Sequence, residues 1–386
     1  MRIGIDARFY SSAFTGIGRY VFELIDHLLK IDKENRYVIF FNDPEFEKFT
    51  APSGAAVEKI RANCAHYSFD EQWKFSRLLK RANLGLMHFT HFNAPVLYRR
   101  PSIVTIHDLT LSLFPGRKMG GWLHRFAYNF TLRSIVKRAR AVIAVSQHTK
   151  NDLLRLLKPD PQKISVIHEG VNPRFHHISD RRIVDEFRKK ENLARPYLLY
   201  TGVWRSHKNL VNLIKAFAIF KHKGKFDGML VITGKEDPWY PEVKQTVAQE
   251  HLEGDVRFTG LIPDEDLVVL YNGAAMYVLP SLYEGFGLPA LEAMACGVPV
   301  CASETSSLPE VCGRENAVFF NPKNPSDMAE KISSLYNNKE KMQSLRERGQ
   351  NRIKDFSWQR MAEETLELYK NSHVYPDSKN PSTGHQ

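Results

Sequence analysis

The sequence predicts an α/β protein made of two doubly wound parallel sheets that face each other across a cleft. Three observations lead to this fold class. Short apolar runs alternate with amphipathic runs along the chain, which is the pattern of βαβ units. A polar, basic and proline-flanked segment at Pro173–Arg195, which suits a linker, interrupts the alternation before it resumes. With 386 residues, the chain also exceeds the size at which a single core usually stops growing.

The first series of apolar runs defines a predicted N-terminal domain at residues 1–175. Its predicted strands are Arg2–Ala7, Tyr37–Phe41, Leu86–Phe89, Ile103–Ile106, Ala141–Ala144 and Ile164–Ile167. Gly16 and Gly18 precede the amphipathic run Tyr20–Leu29, so the chain opens as strand, glycine loop and helix. Without a third glycine this pattern is weak evidence for NAD, but it lets the backbone approach a phosphate closely.

The second series defines a predicted domain at residues 176–356. Its predicted strands are Tyr197–Thr201, Met229–Thr233, Val256–Phe258, Met276–Leu279 and Val298–Cys301. Its predicted helices are Leu210–Phe220, Pro241–Glu250, Asp264–Asn272, Leu288–Cys296 and Ser326–Tyr336. An amphipathic segment at Ser357–Tyr369 predicts a last helix within residues 357–370, and the tail 371–386 has the composition of a disordered segment. We expect a ligand where the carboxyl ends of the strands meet the cleft.

The charge balance indicates an anionic partner. The chain has 54 basic and 43 acidic residues, a net charge of +11, which suits nucleic acid, a phosphorylated substrate or a membrane surface. Its four cysteines have no Cys-x-x-Cys spacing and are predicted to be reduced core thiols. The sequence enters a strand without a signal segment, and no apolar run approaches the roughly 18 residues that span a bilayer. We therefore predict a cytoplasmic protein whose membrane contact, at the inner face, is peripheral.

The stretch Tyr283–Pro299 carries the strongest candidate site. It follows an apolar run and passes through a two-glycine loop into a helix that begins near Leu288. Glu284 then lies in the loop and Glu292 lies about one turn inside the helix. The unpaired amides of the first turn form an anion site between these two carboxylates. The alternative is an ordinary βα turn with two solvated glutamates.

Two other features are more ambiguous. The basic and aromatic stretch Phe114–Arg140 suits a lipid interface or a phosphorylated acceptor. The pattern favours a simpler interpretation, a long helix with a charged outer face and an aromatic inner face. His88 and His91 have the spacing of a metal-ligand pair, but no carboxylate motif accompanies them. We therefore expect no metal.

These motifs together resemble the retaining glycosyltransferases of family 4, which have the GT-B fold of two Rossmann-like domains. The resemblance runs from Met1 to about Tyr369. Its most specific part is the Glu-x7-Glu motif from Glu284 to Glu292, preceded by a basic pair in the loop after the strand Tyr197–Thr201. It implies that the last helix packs back on the first domain. It also implies that no cofactor is needed beyond a nucleotide-sugar substrate.

The resemblance implies a role for each site residue. Lys208 and, less directly, Arg205 neutralise the donor diphosphate; the family arginine often follows the glycine, where this chain has Val203. Glu292 holds the ribose and Glu284 faces the transferred hexose. The remaining implied contacts are the amides of Phe286, Gly287 and Leu288, backbone at Gly16 and Gly18, the base reader Leu261, the crevice residues Gly234 and Lys235, and His107, oriented by Asp108, beside the hexose.

The implied activity is transfer of a hexose to a glycan or lipid-linked saccharide. The chain is similar to bacterial mannosyltransferases of surface polysaccharide assembly, which favours GDP-mannose, while UDP-linked glucose or N-acetylhexosamine and other GT-B activities stay open. No second carboxylate is placed as a nucleophile, so a same-face mechanism is favoured; a glycosidase would need two carboxylates flanking the bond. A basic nucleic-acid-binding or scaffold protein is the non-enzyme alternative, and the transferase interpretation predicts no nucleic-acid partner.

Overall fold

The computed structural model describes residues 1–11, 15–117, 121–224 and 226–374, which form two α/β lobes. The strands are β1 (Arg2–Asp6), β2 (Arg36–Phe41), β3 (Val57–Arg61), β4 (Leu86–Phe89), β5 (Ser102–Ile106), β6 (Ala141–Ala144), β7 (Ile164–Val166), β8 (Tyr197–Thr201), β9 (Met229–Thr233), β10 (Val256–Gly260), β11 (Met276–Leu279), β12 (Val300–Ser303) and β13 (Val318–Phe320).

The helices cover both faces of the two sheets. They are α1 (Thr15–Ile31), α2 (Glu45–Lys48), α3 (Ser76–Arg81), α4 (Thr110–Leu113), α5 (Trp122–Arg138), α6 (Gln147–Leu157), α7 (Arg181–Lys190), α8 (Leu210–Gly224), α9 (Glu242–Gln249), α10 (Asp264–Gly273), α11 (Leu288–Ala295), α12 (Leu308–Cys312), α13 (Pro325–Tyr336), α14 (Lys339–Arg352) and α15 (Trp358–Val374). No described helix is both long and apolar enough to cross a bilayer.

Both sheets are parallel and doubly wound. The first lobe has the order β3-β2-β1-β4-β5-β6-β7 and the second has the order β10-β9-β8-β11-β12-β13. The order reverses between β1 and β4 in the first lobe and between β8 and β11 in the second. Loops that leave the carboxyl ends on either side of such a reversal diverge and leave a crevice. The predicted class, two doubly wound α/β sheets, is confirmed.

The central strands are apolar throughout because helices pack on both of their faces. Every residue of β8, β9 and β11 is buried, and all three strands have the predicted bounds. Strands β3 and β13 were not predicted. Three of the five residues of β3 are charged. Because β3 lies at the edge of its sheet, no neighbouring strand covers one of its sides, and such a strand can be rich in charged residues.

Two helices were not predicted because their composition is polar. The predicted linker contains α7, whose Val184 is buried and lies against Gly273 at the end of α10. The hydrophilic α14 was not predicted, although Asn338 caps its first turn and Leu345 and Gly349 are buried. In both cases a narrow buried stripe on an otherwise charged helix gave too weak a periodic signal.

Helix α5 differs from the favoured interpretation. Its inner face is formed by Tyr128, Leu132, Ile135 and Val136, which are buried. Its outer surface also carries large apolar side chains, since Trp122, Leu123, Phe126 and Phe130 are all more than half exposed. The outer face is charged as predicted, since Arg125, Arg133 and Lys137 are exposed, but most of the aromatic side chains lie on this face and not on the inner one. Lys118, part of the same stretch, lies outside the described residues.

The last helix returns to the first lobe. Helix α15 packs along α1, and its Tyr369 is fully buried. The Tyr369 hydroxyl lies 2.6 Å from Nδ1 of His88 at the end of β4. The helix extends to Val374, so the first residues of the predicted tail are helical, and 375–386 lie outside the described residues.

Candidate active site

The centre of the site is an ion pair between two loops of the second lobe. Lys208 follows β8, and its Nζ lies 2.7 and 2.8 Å from the two carboxylate oxygens of Glu284, which follows β11. Ser281 Oγ donates a third hydrogen bond to Glu284 at 2.6 Å. Burial acts to raise the pKa of Glu284, but the Lys208 charge and these hydrogen bonds bring it below its ordinary value. Glu284 is therefore held as a carboxylate.

The loop after Glu284 presents unsatisfied backbone donors. Gly287 adopts a left-handed φ of 104°, and Pro289 lies in the first turn of α11, so the chain bends sharply into the helix. In the described part of the chain, no acceptor takes the amide hydrogens of Phe286, Gly287 or Leu288. Free amides at a helix start suit the oxygens of a phosphate or a sugar.

Glu292 is held by a residue that the sequence analysis did not single out. It is buried in α11, where Tyr271 OH donates to its Oε2 at 3.1 Å. Its other oxygen pairs with Arg19 of α1, in the first lobe, and Arg19 also lies 3.5 Å from Asp264. Burial raises the pKa of Glu292, and the Arg19 charge offsets this only in part. The ion pair joins the two lobes across the cleft.

The two lobes touch at Gly285. Ser146 caps α6 in the first lobe, and its hydroxyl donates to the carbonyl oxygen of Gly285 at 2.7 Å. A Cβ at position 285 would lie 1.9 Å from the carbonyl oxygen of His107, so only glycine allows this approach. The loop of the Glu-x7-Glu motif is thus seated directly on the carboxyl edge of the first sheet.

Two further side chains secure this contact between the lobes. Tyr283 OH donates to Asp152 Oδ2 of α6 at 2.8 Å. Glu310 of α12 accepts the amide hydrogens of Gln147 and His148 at 2.7 and 3.0 Å, the first two residues of α6. Burial tends to raise the pKa of Glu310, but the His168 hydrogen bond and these two amides lower it overall. A carboxylate at the start of a helix also interacts favourably with the helix dipole.

His107 lies at the end of β5, where its ring is fixed from two sides. Its Nδ1 lies 3.0 Å from Glu169 Oε1 and its Nε2 lies 3.0 Å from the carbonyl oxygen of Thr90. We expected Asp108 to orient this ring, and that expectation is wrong. Asp108 instead accepts the amide hydrogen of Thr110 at 2.8 Å, while Glu169 holds the imidazole.

Arg205 is not part of the Lys208 cluster. It is 39% exposed and pairs with Asp237, in the loop after β9. The same loop begins with Gly234 and Lys235, which were predicted to line the crevice at the ends of the strands. Gly234 has a φ of 128°, and a Cβ there would lie 2.1 Å from the carbonyl oxygen of Gly202, so this glycine serves strand packing. Lys235 is exposed, and its carbonyl oxygen accepts the Trp204 amide hydrogen.

The remaining predicted residues lie at the rim. Leu261, directly after β10, is 70% exposed. A Cβ at Gly16, at the start of α1, would face open space, so backbone approach there is unobstructed. A Cβ at Gly18 would lie 2.0 Å from the Ser11 carbonyl oxygen, so only glycine allows this close approach.

The side chains of His88 and His91 both form hydrogen bonds within the protein. Besides Tyr369, His88 contacts Thr105 Oγ1 through its Nε2 at 2.8 Å. His91 is 9% exposed, and its Nδ1 accepts the amide hydrogen of Asn93 at 3.3 Å. Both rings serve the first-lobe core.

The sequence and fold were compared with known proteins. Residues 14–175 match the family model described as Glycosyltransferase Family 4, and residues 183–352 match Glycosyl transferases group 1. The chain is 30% identical over 291 residues to O-antigen chain mannosyltransferase B of Escherichia coli, covering 74% of each chain. It is 29% identical over 258 residues to the O-antigen chain mannosyltransferase RfbU of Salmonella typhimurium, covering 67% of each.

A solved structure extends the match to almost the whole chain. The Anabaena protein HepE, in complex with UDP-glucose, superimposes with a TM-score of 0.77 over 96% of this chain and 100% of that one, at 17% identity. At this identity the match describes the fold, which is GT-B.

Proposed function

The chain belongs to the family 4 glycosyltransferases of GT-B fold, and on that premise we propose that it is a retaining, metal-independent hexosyltransferase. The donor that we propose is GDP-mannose, and the acceptor is a glycan or a lipid-linked saccharide. Because the chain belongs to an enzyme family, the alternative interpretations as a scaffold or a nucleic-acid-binding protein are set aside. The donor identity, the stereochemistry and the acceptor are the proposal.

One observation carries the proposal most directly. The Lys208 ammonium, the carboxylate of Glu284 and the free amides of Phe286 to Leu288 lie together at the β8–β11 reversal of strand order. A diphosphate needs fixed cationic and N–H donors, and a hexose needs a carboxylate acceptor for its hydroxyls. Both requirements are met within a single pair of adjacent loops.

The proposed reaction uses these groups without a protein nucleophile. The bond between the anomeric carbon and the donor phosphate oxygen breaks, and both electrons go to the phosphate. Lys208 and the amides at the start of α11 stabilise that negative charge, which preorganised donors do most effectively in a water-poor cleft. The acceptor hydroxyl attacks from the face that the phosphate leaves, and its proton passes to the departing phosphate oxygen. The sugar therefore keeps its anomeric configuration.

Donor binding requires the cleft contacts to rearrange. Lys208 reaches a phosphate by giving up at least one contact with Glu284, and Glu292 accepts ribose hydroxyls only where Arg19 yields its place. Arg19 is 23% exposed, so it has room to turn toward solvent or toward the phosphates. Arg205, paired with Asp237 at the crevice wall, contributes positive field rather than the direct contact implied by the family pattern.

Mannose from GDP-mannose is supported by two relatives whose names describe O-antigen mannosyltransferases. The fold neighbour HepE was solved with UDP-glucose, so UDP-glucose is the second candidate. Incubating the purified protein with each donor and a panel of saccharide acceptors, and measuring GDP or UDP release, discriminates between them. Acceptor-dependent GDP release supports the proposal. UDP release alone would move the assignment to the second donor.

A lipid-linked acceptor at an anionic membrane surface is supported by helix α5. Its exposed Trp122, Leu123, Phe126 and Phe130 lie beside basic residues of the same helix, the composition of an interfacial segment. Co-sedimentation with phosphatidylglycerol vesicles tests this point. We expect Trp122→Ser with Phe126→Ser to weaken binding, whereas binding unchanged in that variant would remove α5 as the contact.

A further inference from the structure

A polar groove lies at the end of α11 opposite the candidate active site. It has a volume of about 290 Å³ and is bordered by α7, α14 and the turn that follows α11. Its wall includes His177, Arg181, Gly297, Arg346, Glu347 and Gln350. The donor-site loop is at the other end of the same helix, so this groove is separate from the cleft between the lobes.

Two guanidinium groups in this groove lack a carboxylate partner. Among the described residues, no acidic side chain lies within ion-pair distance of Arg181 or Arg346. Arg181 makes one long hydrogen bond, from Nη1 to the carbonyl oxygen of Asn272 at 3.4 Å. Burial, together with the neighbouring Arg181 charge, lowers the pKa of Arg346. Both guanidinium groups border the same cavity, so an anion placed between them is attracted by both.

Two other polar side chains of the groove lie near Gly297. The amide nitrogen of Gln350 and the ring Nδ1 of His177 lie on either side of Gly297, at 3.2 and 3.3 Å from where its Cβ would be. Glu347 is the acidic residue of the wall, but its Oε1 accepts from Gln343 Nε2 at 2.8 Å rather than from an arginine. With two guanidinium groups and one carboxylate, the wall of this cavity carries a net positive charge.

We propose that this groove binds a phosphate-bearing anion between Arg181 and Arg346. Paired guanidinium groups bind phosphate oxygens through short charge-assisted hydrogen bonds, and Gln350 supplies a neutral donor for a further oxygen. The volume admits a phosphate ester as well as free phosphate. This site does not depend on the donor or acceptor assigned above.

The position of the groove gives binding a structural consequence. Asn272 holds the connection between the lobes, since its Oδ1 accepts the Ile178 amide hydrogen at 2.8 Å and its Nδ2 donates to the His176 carbonyl oxygen at 3.0 Å. An anion bound by Arg181 and Arg346 links α7, the first helix after that connection, to α14, which precedes the return to the first lobe. Binding therefore stabilises the second lobe where both connections leave it.

The test uses inorganic phosphate as the probe. Because Lys208 provides a second phosphate-binding region, binding is measured by equilibrium dialysis in the Lys208→Ala protein, with ionic strength held constant by chloride. We expect Arg181→Gln and Arg346→Gln each to weaken phosphate binding by about tenfold or more, the loss expected for one hydrogen bond between charged groups. Arg182→Gln is the matched control, since Arg182 lies on the same helix but pairs with Asp180.

Two outcomes would overturn the proposal. One is the absence of saturable phosphate binding in the Lys208→Ala protein, and the other is binding that Arg181→Gln and Arg346→Gln leave unchanged. Circular dichroism confirms that each variant is folded. A crystal of the full chain soaked in tungstate provides an independent measurement, because the anomalous peak must lie between the two arginines, and a peak only beside Lys208 would contradict the assignment.

Discussion

Lys208 Nζ lies within hydrogen-bonding distance of both carboxylate oxygens of Glu284, at 2.7 and 2.8 Å. The two residues come from loops on opposite sides of the β8–β11 reversal, so the ion pair marks the point where the second sheet opens toward the cleft. A lysine that neutralises Glu284 is also placed to neutralise a donor phosphate. The proposed reaction depends on this exchange of partners.

Lys208→Ala should reduce turnover much more than it weakens donor binding. Removing one preorganised donor to a developing negative charge costs roughly 10²–10³-fold in kcat. The exposed Lys215, on helix α8 of the same lobe, provides the matched control Lys215→Ala, which should leave both constants unchanged. Steady-state kinetics of nucleotide release checks this. Equal turnover in the two variants would remove Lys208 from the reaction.

Glu292→Ala should abolish the preference for a ribose. We expect the unaltered protein to bind GDP or UDP roughly ten- to a hundredfold more tightly than the 2′,3′-dideoxy analogue, because hydrogen bonds to a carboxylate contribute about 1.5–3 kcal/mol. The variant should bind both forms alike. Isothermal titration measures the two affinities, and the exposed Glu265→Ala is the control. A ribose preference that survives in Glu292→Ala would place the ribose elsewhere.

Ser146→Ala should impair catalysis through the seating of the loop. Its hydroxyl is the shorter of two hydrogen-bond donors to the Gly285 carbonyl oxygen, beside Thr149 Oγ1, and it also caps α6, so its loss costs about 1 kcal/mol of stability and lets the loop shift. We expect kcat to fall on the order of tenfold, since small displacements of reacting groups are costly. Ser146→Thr should restore it.

Asn338→Ala separates the two effects of Ser146. Asn338 caps α14 through the Lys341 amide hydrogen at 2.8 Å, away from the contact between the lobes. Its loss should cost similar stability, measured by urea unfolding, without changing kcat. If Asn338→Ala slows turnover as much as Ser146→Ala, the effect of Ser146 is one of stability alone.

Stability should fall with decreasing pH in a way that depends on His88. Burial, and to a smaller extent the charge of His107, lowers the pKa of His88 to about 3. Because the folded pKa lies below the ordinary value of about 6.5, the contribution is full above pH 6.5 and is lost as the pH falls from there toward 3. The loss is at most about 1.4 kcal/mol per pH unit, since only the unfolded chain binds this proton.

The role of His88 is tested by comparing how much the unfolding free energy changes with pH in two proteins. Unfolding free energies from urea titrations at about pH 7.5 and about pH 5 should differ less in His88→Gln than in the unaltered protein, because glutamine does not titrate. Comparing the pH dependence rather than the absolute stability removes the packing cost of the substitution. An identical pH dependence in the two proteins would mean that folding leaves the pKa of His88 unchanged, which would contradict this prediction.

The sequence predicted the parts of the fold that are buried on both sides. Strands β8, β9 and β11 are continuous apolar runs because helices cover both faces, and such runs have clear bounds. Strand β3 and helices α7 and α14 were missed because each is mostly exposed and buries only a few side chains. The apolar content of a segment reflects how much of the segment is buried. Elements with little buried surface therefore leave only a weak apolar pattern in the sequence.

The site was predictable only where its residues come from one loop or a recognisable motif. Lys208 and Glu284 lie in loops that the sequence marks with glycine and charge. The partners Arg19 and Glu169 were missed because their contacts join distant segments; Arg19 is 273 residues from Glu292. Their signal was in the sequence as charged residues next to buried strands and glycines, but nothing there specified what they would face.

The most direct test of the central claim is the stereochemistry of transfer. The protein is incubated with GDP-mannose and a saccharide acceptor, GDP release is followed, and the new linkage is assigned by NMR, with Glu284→Gln run in parallel. We predict that GDP is released, that the product keeps the α configuration of the donor, and that Glu284→Gln is far slower. A product of inverted configuration, or no nucleotide release from either GDP-mannose or UDP-glucose with any acceptor tested, would contradict the account.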